Sequence, residues 1–114
     1  MSAIKVPNFV RGGMLGVEGQ EVISSSATDA VFQIPPRIGI IGVQAVPAGS
    51  ATYQVYATLD PSVDGTNLAS ADWFPLFSTN QTSANQKAIY GAVSHIRFQH
   101  ISGAGTVKCS IRGQ

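Results

Sequence analysis

The side chains that come nearest to the types and spacing of covalent chemistry are Cys109 and His100. Residues Val93 to Ile101 and Thr106 to Arg112 alternate apolar and polar side chains on either side of Ser102-Gly103-Ala104-Gly105, the pattern of two antiparallel strands and a turn. Pairing across that turn sets Ile96 opposite Ile111, Phe98 opposite Cys109 and His100 opposite Val107. Cys109 and His100 then lie diagonally on one face, where an imidazole could take a thiol proton and leave a nucleophile. The same face holds Ile96, Phe98, Val107 and Ile111, and a thiol among aliphatic side chains stays protonated and inert. The opposite face carries His95, Arg97, Lys108 and Arg112. Sheets that bind single-stranded nucleic acid interleave such cations with aromatic rings, and this face has none, so a solvated face, or one against an acidic neighbour, is expected.

Asp60, Asp64, Asn67 and Asp72 gather oxygens of the kind hard cations bind, but their spacing fails the EF-hand pattern. Asp60-Pro61 and Asp64-Gly65 are ordinary turn chemistry, so neither metal nor cofactor is expected. Trp73-Phe74-Pro75-Leu76-Phe77 is the densest aromatic run. Exposed, it would stack on sugar rings, which makes a carbohydrate-binding sandwich module one alternative; buried, Trp73 and Phe77 would plug the end of a core. No serine sits in a Gly-x-Ser-x-Gly elbow, and no phosphate loop, dinucleotide fingerprint or zinc-ligand cluster is present. Catalysis is not expected.

The elements that must position these residues are short strands. A length of 114 residues bounds the chain to one core, and 44% hydrophobic residues suffice to build it. Charged residues are 11%, against about 25% in typical domains, and the net charge is +1. Weak surface repulsion tolerates close packing against neighbours, which favours a component of an assembly over a protein that tracks phosphates. The single cysteine excludes an internal disulfide framework. No basic segment followed by an apolar run opens the chain, and the nine-residue stretch Ile38 to Val46 is far short of the roughly 20 residues of a membrane helix, so a soluble protein is expected.

Glu21 to Ala27, Val31 to Ile34, Ile38 to Val46, Ala51 to Leu59, Trp73 to Phe77, Lys87 to Tyr90 and the final pair read as strands, with proline and glycine between them. Nowhere does a 3.6-residue period with caps run for ten residues. The fold class is all-β: an antiparallel two-sheet β-sandwich over residues 21 to 114, with a jelly-roll path as one form of it. Residues 1 to 20 scatter four glycines among Phe9, Val10, Met14, Leu15 and other apolar side chains without a period. They read as an extended arm on a neighbouring subunit or as a terminus folded over its own core. Ile38 to Val46 is apolar on both faces, so Ile40, Ile41 and Val43 are placed near a subunit contact, with cover by the protein's own loops as the alternative.

Tyr53-Gln54-Val55-Tyr56-Ala57-Thr58-Leu59-Asp60, then Asp72-Trp73-Phe74, Val93-Ser94-His95-Ile96-Arg97-Phe98 and Ser102-Gly103-Ala104-Gly105 before a last strand resemble small virion proteins of tailed bacteriophages. The resemblance covers roughly residues 50 to 114. It implies an oligomeric β-sandwich, a trimer by preference, that decorates or cements the phage head by binding the major capsid protein or a neighbouring virion protein. A head-to-tail or tail accessory protein is the variant within that family. The role so implied is mechanical: burial of surface across subunit junctions, with contacts through Phe9, Val10, Met14, Leu15, Ile40, Ile41 and Val43.

Overall fold

The computed structural model describes residues 4–5, 8–9, 16–36, 38–60 and 70–114. Among them are ten strands: β1 (Ile4–Lys5), β2 (Asn8–Phe9), β3 (Val17–Ile23), β4 (Asp29–Gln33), β5 (Ile40–Ala48), β6 (Thr52–Thr58), β7 (Phe74–Pro75), β8 (Asn85–Tyr90), β9 (His95–Ser102) and β10 (Thr106–Gly113). They form two five-stranded sheets, ordered β1-β4-β9-β6-β7 and β2-β3-β10-β5-β8. All pairs are antiparallel except β1 with β4. From β3 onward the chain changes sheet at every step but one, β6 to β7, and interleaves the strands as β3-β10-β5-β8 over β4-β9-β6-β7. That path is a jelly roll, so the expected all-β sandwich is found and its topology is fixed.

The hairpin pairing expected for the last two strands is overturned. β9 pairs with β4 and β6, whereas β10 pairs with β3 and β5, so the turn at 102–105 carries the chain from one sheet to the other. The inward faces are those expected: Ile96, Phe98 and His100 on β9 and Val107, Cys109 and Ile111 on β10 are all buried, on two sheets instead of beside one another. Strand β3 starts at Val17, four residues before the expected Glu21. Its alternation is hidden by Gly19, whose absent side chain makes room for Phe32: a Cβ there would lie 2.8 Å from the ring. Pro47 sits in β5 beyond the last residue that β8 pairs, where only β10 flanks it, so its missing donor costs no ladder bond on the β8 side.

The core is one layer between the sheets. Val17, Ile23, Phe32, Ile41, Val43, Tyr53, Val55, Ile96, Phe98, Val107 and Ile111 are all buried in it, with the Phe32 and Phe98 rings edge to face at 5.8 Å. At one end, the 102–105 turn lies on the 48–51 turn. Gly103 has φ +100°, Gly105 N–H donates to Ser50 O at 2.7 Å, and a Cβ on Gly105 would fall on the Ala48 carbonyl oxygen. Gly105→Ala is therefore expected to lower the melting temperature by several degrees, a loss of about 1–3 kcal/mol from overpacking. Gly42→Ala, where the nearest atom would be 3.6 Å away, is expected to leave it unchanged or raise it slightly. Equal melting curves for the two variants would contradict the close approach of the turns.

Candidate functional site

The side chains expected to form one basic stripe are divided between the outer faces of the two sheets: Arg97 and His95 on β9, Lys108 and Arg112 on β10. On the β9 sheet the outer face is covered. Arg97, aligned with Val31 and Tyr56 by the ladder, donates from Nη2 and Nε to Asp29 Oδ1 at 3.2 and 3.3 Å. Its guanidinium lies 5.7 Å from the centres of both the Tyr56 and Trp73 rings, so the cation is held between two aromatic faces. Trp73 also packs with Ala71 on Val31. The ring expected either to plug the fold or to stack on sugar is thus engaged by its own chain, over a sheet face and not at the end of the core. Gln54, a polar side chain on the outer face of β6, is buried. Its Nε2 donates to Phe77 O at 3.0 Å and Thr79 O at 3.3 Å, which fastens the 76–80 segment to β6.

His95, expected on the exposed face, is also buried. The Ser94 hydroxyl points at the carbonyls of Asp60 and Thr58, 2.7 and 3.0 Å away, so its oxygen accepts from His95 Nδ1 at 3.0 Å. That arrangement fixes the proton on Nδ1 and leaves Nε2 as a buried lone pair with no partner among the described residues. Burial pushes this imidazole below its ordinary value, partly opposed by the nearby Asp60 carbonyl and carboxylate.

Cys109 and His100 are not a nucleophile pair. They stand on opposite sheets, and Cys109 is wholly enclosed by the core, with burial first and the Glu21 charge second raising its thiol far above the usual range. His100 Nε2 donates to Gly105 O at 3.1 Å and so braces the turn. Among the described residues no three metal-ligating side chains gather. Asp60 and Asp72 stand at the rim of an apolar cleft of about 540 Å³, walled by Ala57, Leu59, Phe74, Ala92 and Val93. Asp64 and Asn67 lie outside the described residues.

The second outer face, on the β10 sheet, is open. The ladders align Gln20, Ser110, Gln44 and Gln86 in one row across four strands, and Glu18, Arg112, Gly42 and Ala88 in the next. Together they line a groove of about 930 Å³. No sequence pattern groups these side chains, because four separate strands contribute one residue each to either row.

Of the expected contact residues, Phe9 lies in β2 at the edge of this sheet, and Val10, Met14 and Leu15 fall outside the described residues. Ile40 is exposed. Ile41 and Val43 are corrected: they alternate inward and belong to the chain's own core, so they offer no surface to a partner.

No protein-family model matches the sequence, and no curated protein matches it either. Solved structures are similar to the chain in backbone path to differing degrees. The SPBc2 prophage-derived protein YomS superposes with a TM-score of 0.53 at 13% identity, over 93% of this chain and 98% of that one. The core of a Drosophila NLP, from a study of its pentamer formation and histone binding, gives 0.48 at 13% identity over 85% and 95%. A Bacillus endospore appendage protein gives 0.47 at 10% identity over 92% and 93%.

Removing Arg97 takes the ion-pairing guanidinium away from the buried Asp29 carboxylate and the cation away from the underside of Trp73. Arg97→Ala should cost about 2–4 kcal/mol, less than a fully buried pair would because the guanidinium keeps some contact with water, and should redshift the tryptophan emission. An unchanged emission maximum would contradict the stack. For His95 the folded state disfavours the proton, so the unfolded chain binds more protons and stability falls as pH drops through and below 6.5. His95→Gln should flatten the melting temperature between pH 7.5 and 5; a slope equal to that of the parent would assign the acid sensitivity elsewhere.

Proposed function

We propose that this chain is a non-enzymatic structural protein of a phage particle, a decoration or cement protein that binds the major capsid protein lattice. The observation that carries the proposal is the apolar cleft at the end of β6, where Leu59 and Phe74 are 70% and 66% exposed on a body of very low charge. Large apolar side chains left around a cleft mark a surface that another protein covers. Support comes from the jelly-roll path, which serves widely in capsid domains, and from the fold shared with a prophage-derived protein. Phe9 in the edge strand β2, with Val10, Met14 and Leu15 following it in sequence, then borders a neighbouring subunit, and Ile40 borders a contact. Each bound copy stabilises the lattice by mass action, without chemistry. A tail or head-to-tail position would use the same surfaces.

The test is the particle itself. Light scattering of the purified chain should give a homo-oligomer, with a trimer the expected state, and particles purified from the host that carries the coding sequence should contain the chain in many copies. Leu59→Asp with Phe74→Asp should abolish its incorporation, and deletion of residues 1–15 should lower the oligomeric state. A monomer absent from purified particles would overturn the proposal.

A further inference from the structure

The open groove on the β10 sheet lies apart from the Leu59–Phe74 cleft just described, and its chemistry is specific. Its first row places two amides, a hydroxyl and a third amide across four adjacent strands, spanning about 14 Å at the usual inter-strand spacing. Gln20 donates to Ser110 Oγ at 3.1 Å, while the Gln44 and Gln86 amides are exposed and make no bond within the described residues. Amides and hydroxyls both donate and accept, which matches hydroxyl-rich ligands that do the same. In the second row Gly42 and Ala88 leave a low floor, bordered by the exposed pair Glu18 and Arg112, 3.7 Å apart. Lys87, the other cation at the groove, turns away to donate to Leu76 O at 2.6 Å and to lie over the Phe77 ring. At the groove itself Glu18 offsets Arg112, and Lys108, exposed one row beyond Ser110 on the same face, is the single further cation there, so no cation cluster gathers for phosphates or acidic polymers. The next pair on the same face beyond the floor sets Tyr90, 77% exposed, beside Ile40. An exposed ring next to a low floor is what the apolar face of a sugar stacks on.

From this juxtaposition we infer that the outer face of the β10 sheet binds a neutral polysaccharide chain, laid across the strands over Gly42 with Tyr90 stacking at one end and the Gln20–Ser110–Gln44–Gln86 row bonding its hydroxyls. This moves the sugar-binding alternative away from Trp73, which is committed to Arg97. It is independent of the particle proposal, since the groove and the Leu59–Phe74 cleft lie on different sheets.

The full-length protein is run in native gels cast with dextran, galactomannan or hydroxyethyl cellulose, and with polygalacturonate as the acidic comparison. At least one neutral polymer should retard it. Gly42→Gln, which fills the floor at a position where a Cβ meets no close atom, and Tyr90→Ala should each weaken that retardation by about tenfold while melting at the parent temperature. Retardation by polygalacturonate alone, by no polymer, or undiminished in Gly42→Gln would overturn the inference. So would a change of oligomeric state in Gly42→Gln, which would make the groove a contact between copies of the chain.

Discussion

What holds the molecule together is the single apolar layer between the sheets. The ladder hydrogen bonds of the named strands run within each sheet, so the two sheets stay together through the side chains that alternate inward and through the turns that carry the chain across. Burial of that layer is the dominant favourable contribution to folding, and the edge-to-face pair Phe32–Phe98 adds about 0.5–1.5 kcal/mol beyond its area. Because consecutive strands face one another across the layer, a substitution in one strand acts first on its successor in sequence. Gly19 beneath the Phe32 ring is an example.

The sequence period dictates which side chains face inward, and it did so correctly for Ile96, Phe98, Val107 and Ile111. It does not dictate which strands become neighbours. A four-residue turn with two glycines can close a hairpin or cross between sheets, and the alternation is identical in both cases. What selects the crossing is the backbone approach of Gly103 and Gly105 to residues 48–51, a contact between positions about fifty residues apart that no local pattern records. The same limit explains Gly19. A glycine at an inward position looks like a break in the alternation, when it is the one residue that fits.

On the outer faces alternation leaves a choice open, since polar side chains there can meet water or meet a covering segment. His95, Arg97 and Gln54 belong to the second kind. Arg97 and Gln54 meet residues distant in sequence, Asp29 and the carbonyls of Phe77 and Thr79, whereas His95 meets the adjacent Ser94, itself held by Asp60 and Thr58, and keeps Nε2 without a partner among the described residues. Trp73 marks that cover in the sequence. A tryptophan in the long connection after β6, with an arginine on a partner strand, is compatible with a cation held under its ring, but the pairing of β6 with β9 has to be known before Arg97 can be placed beneath it.

The contrast between the two outer faces follows from the lengths of the connections. β3 to β4, β5 to β6, β8 to β9 and β9 to β10 are joined by three to five residues each, too few to cross a sheet. Only the path from β6 to β8, residues 59 to 84, is long, and its described part is fastened to the β9 sheet by Gln54, Arg97 and Val31. Once that connection is committed to one face, no comparable connection between those strands remains for the other. The uncovered face is correspondingly built of Gln20, Gln44, Gln86, Ser110, Glu18 and Arg112, side chains stable in water, with exposed apolar residues at its borders in Val22, Ile40 and Tyr90. A face kept open by topology and polar by composition is stable without a partner, yet its small floor and adjacent ring shape it for a ligand that exchanges hydrogen bonds with water on equal terms.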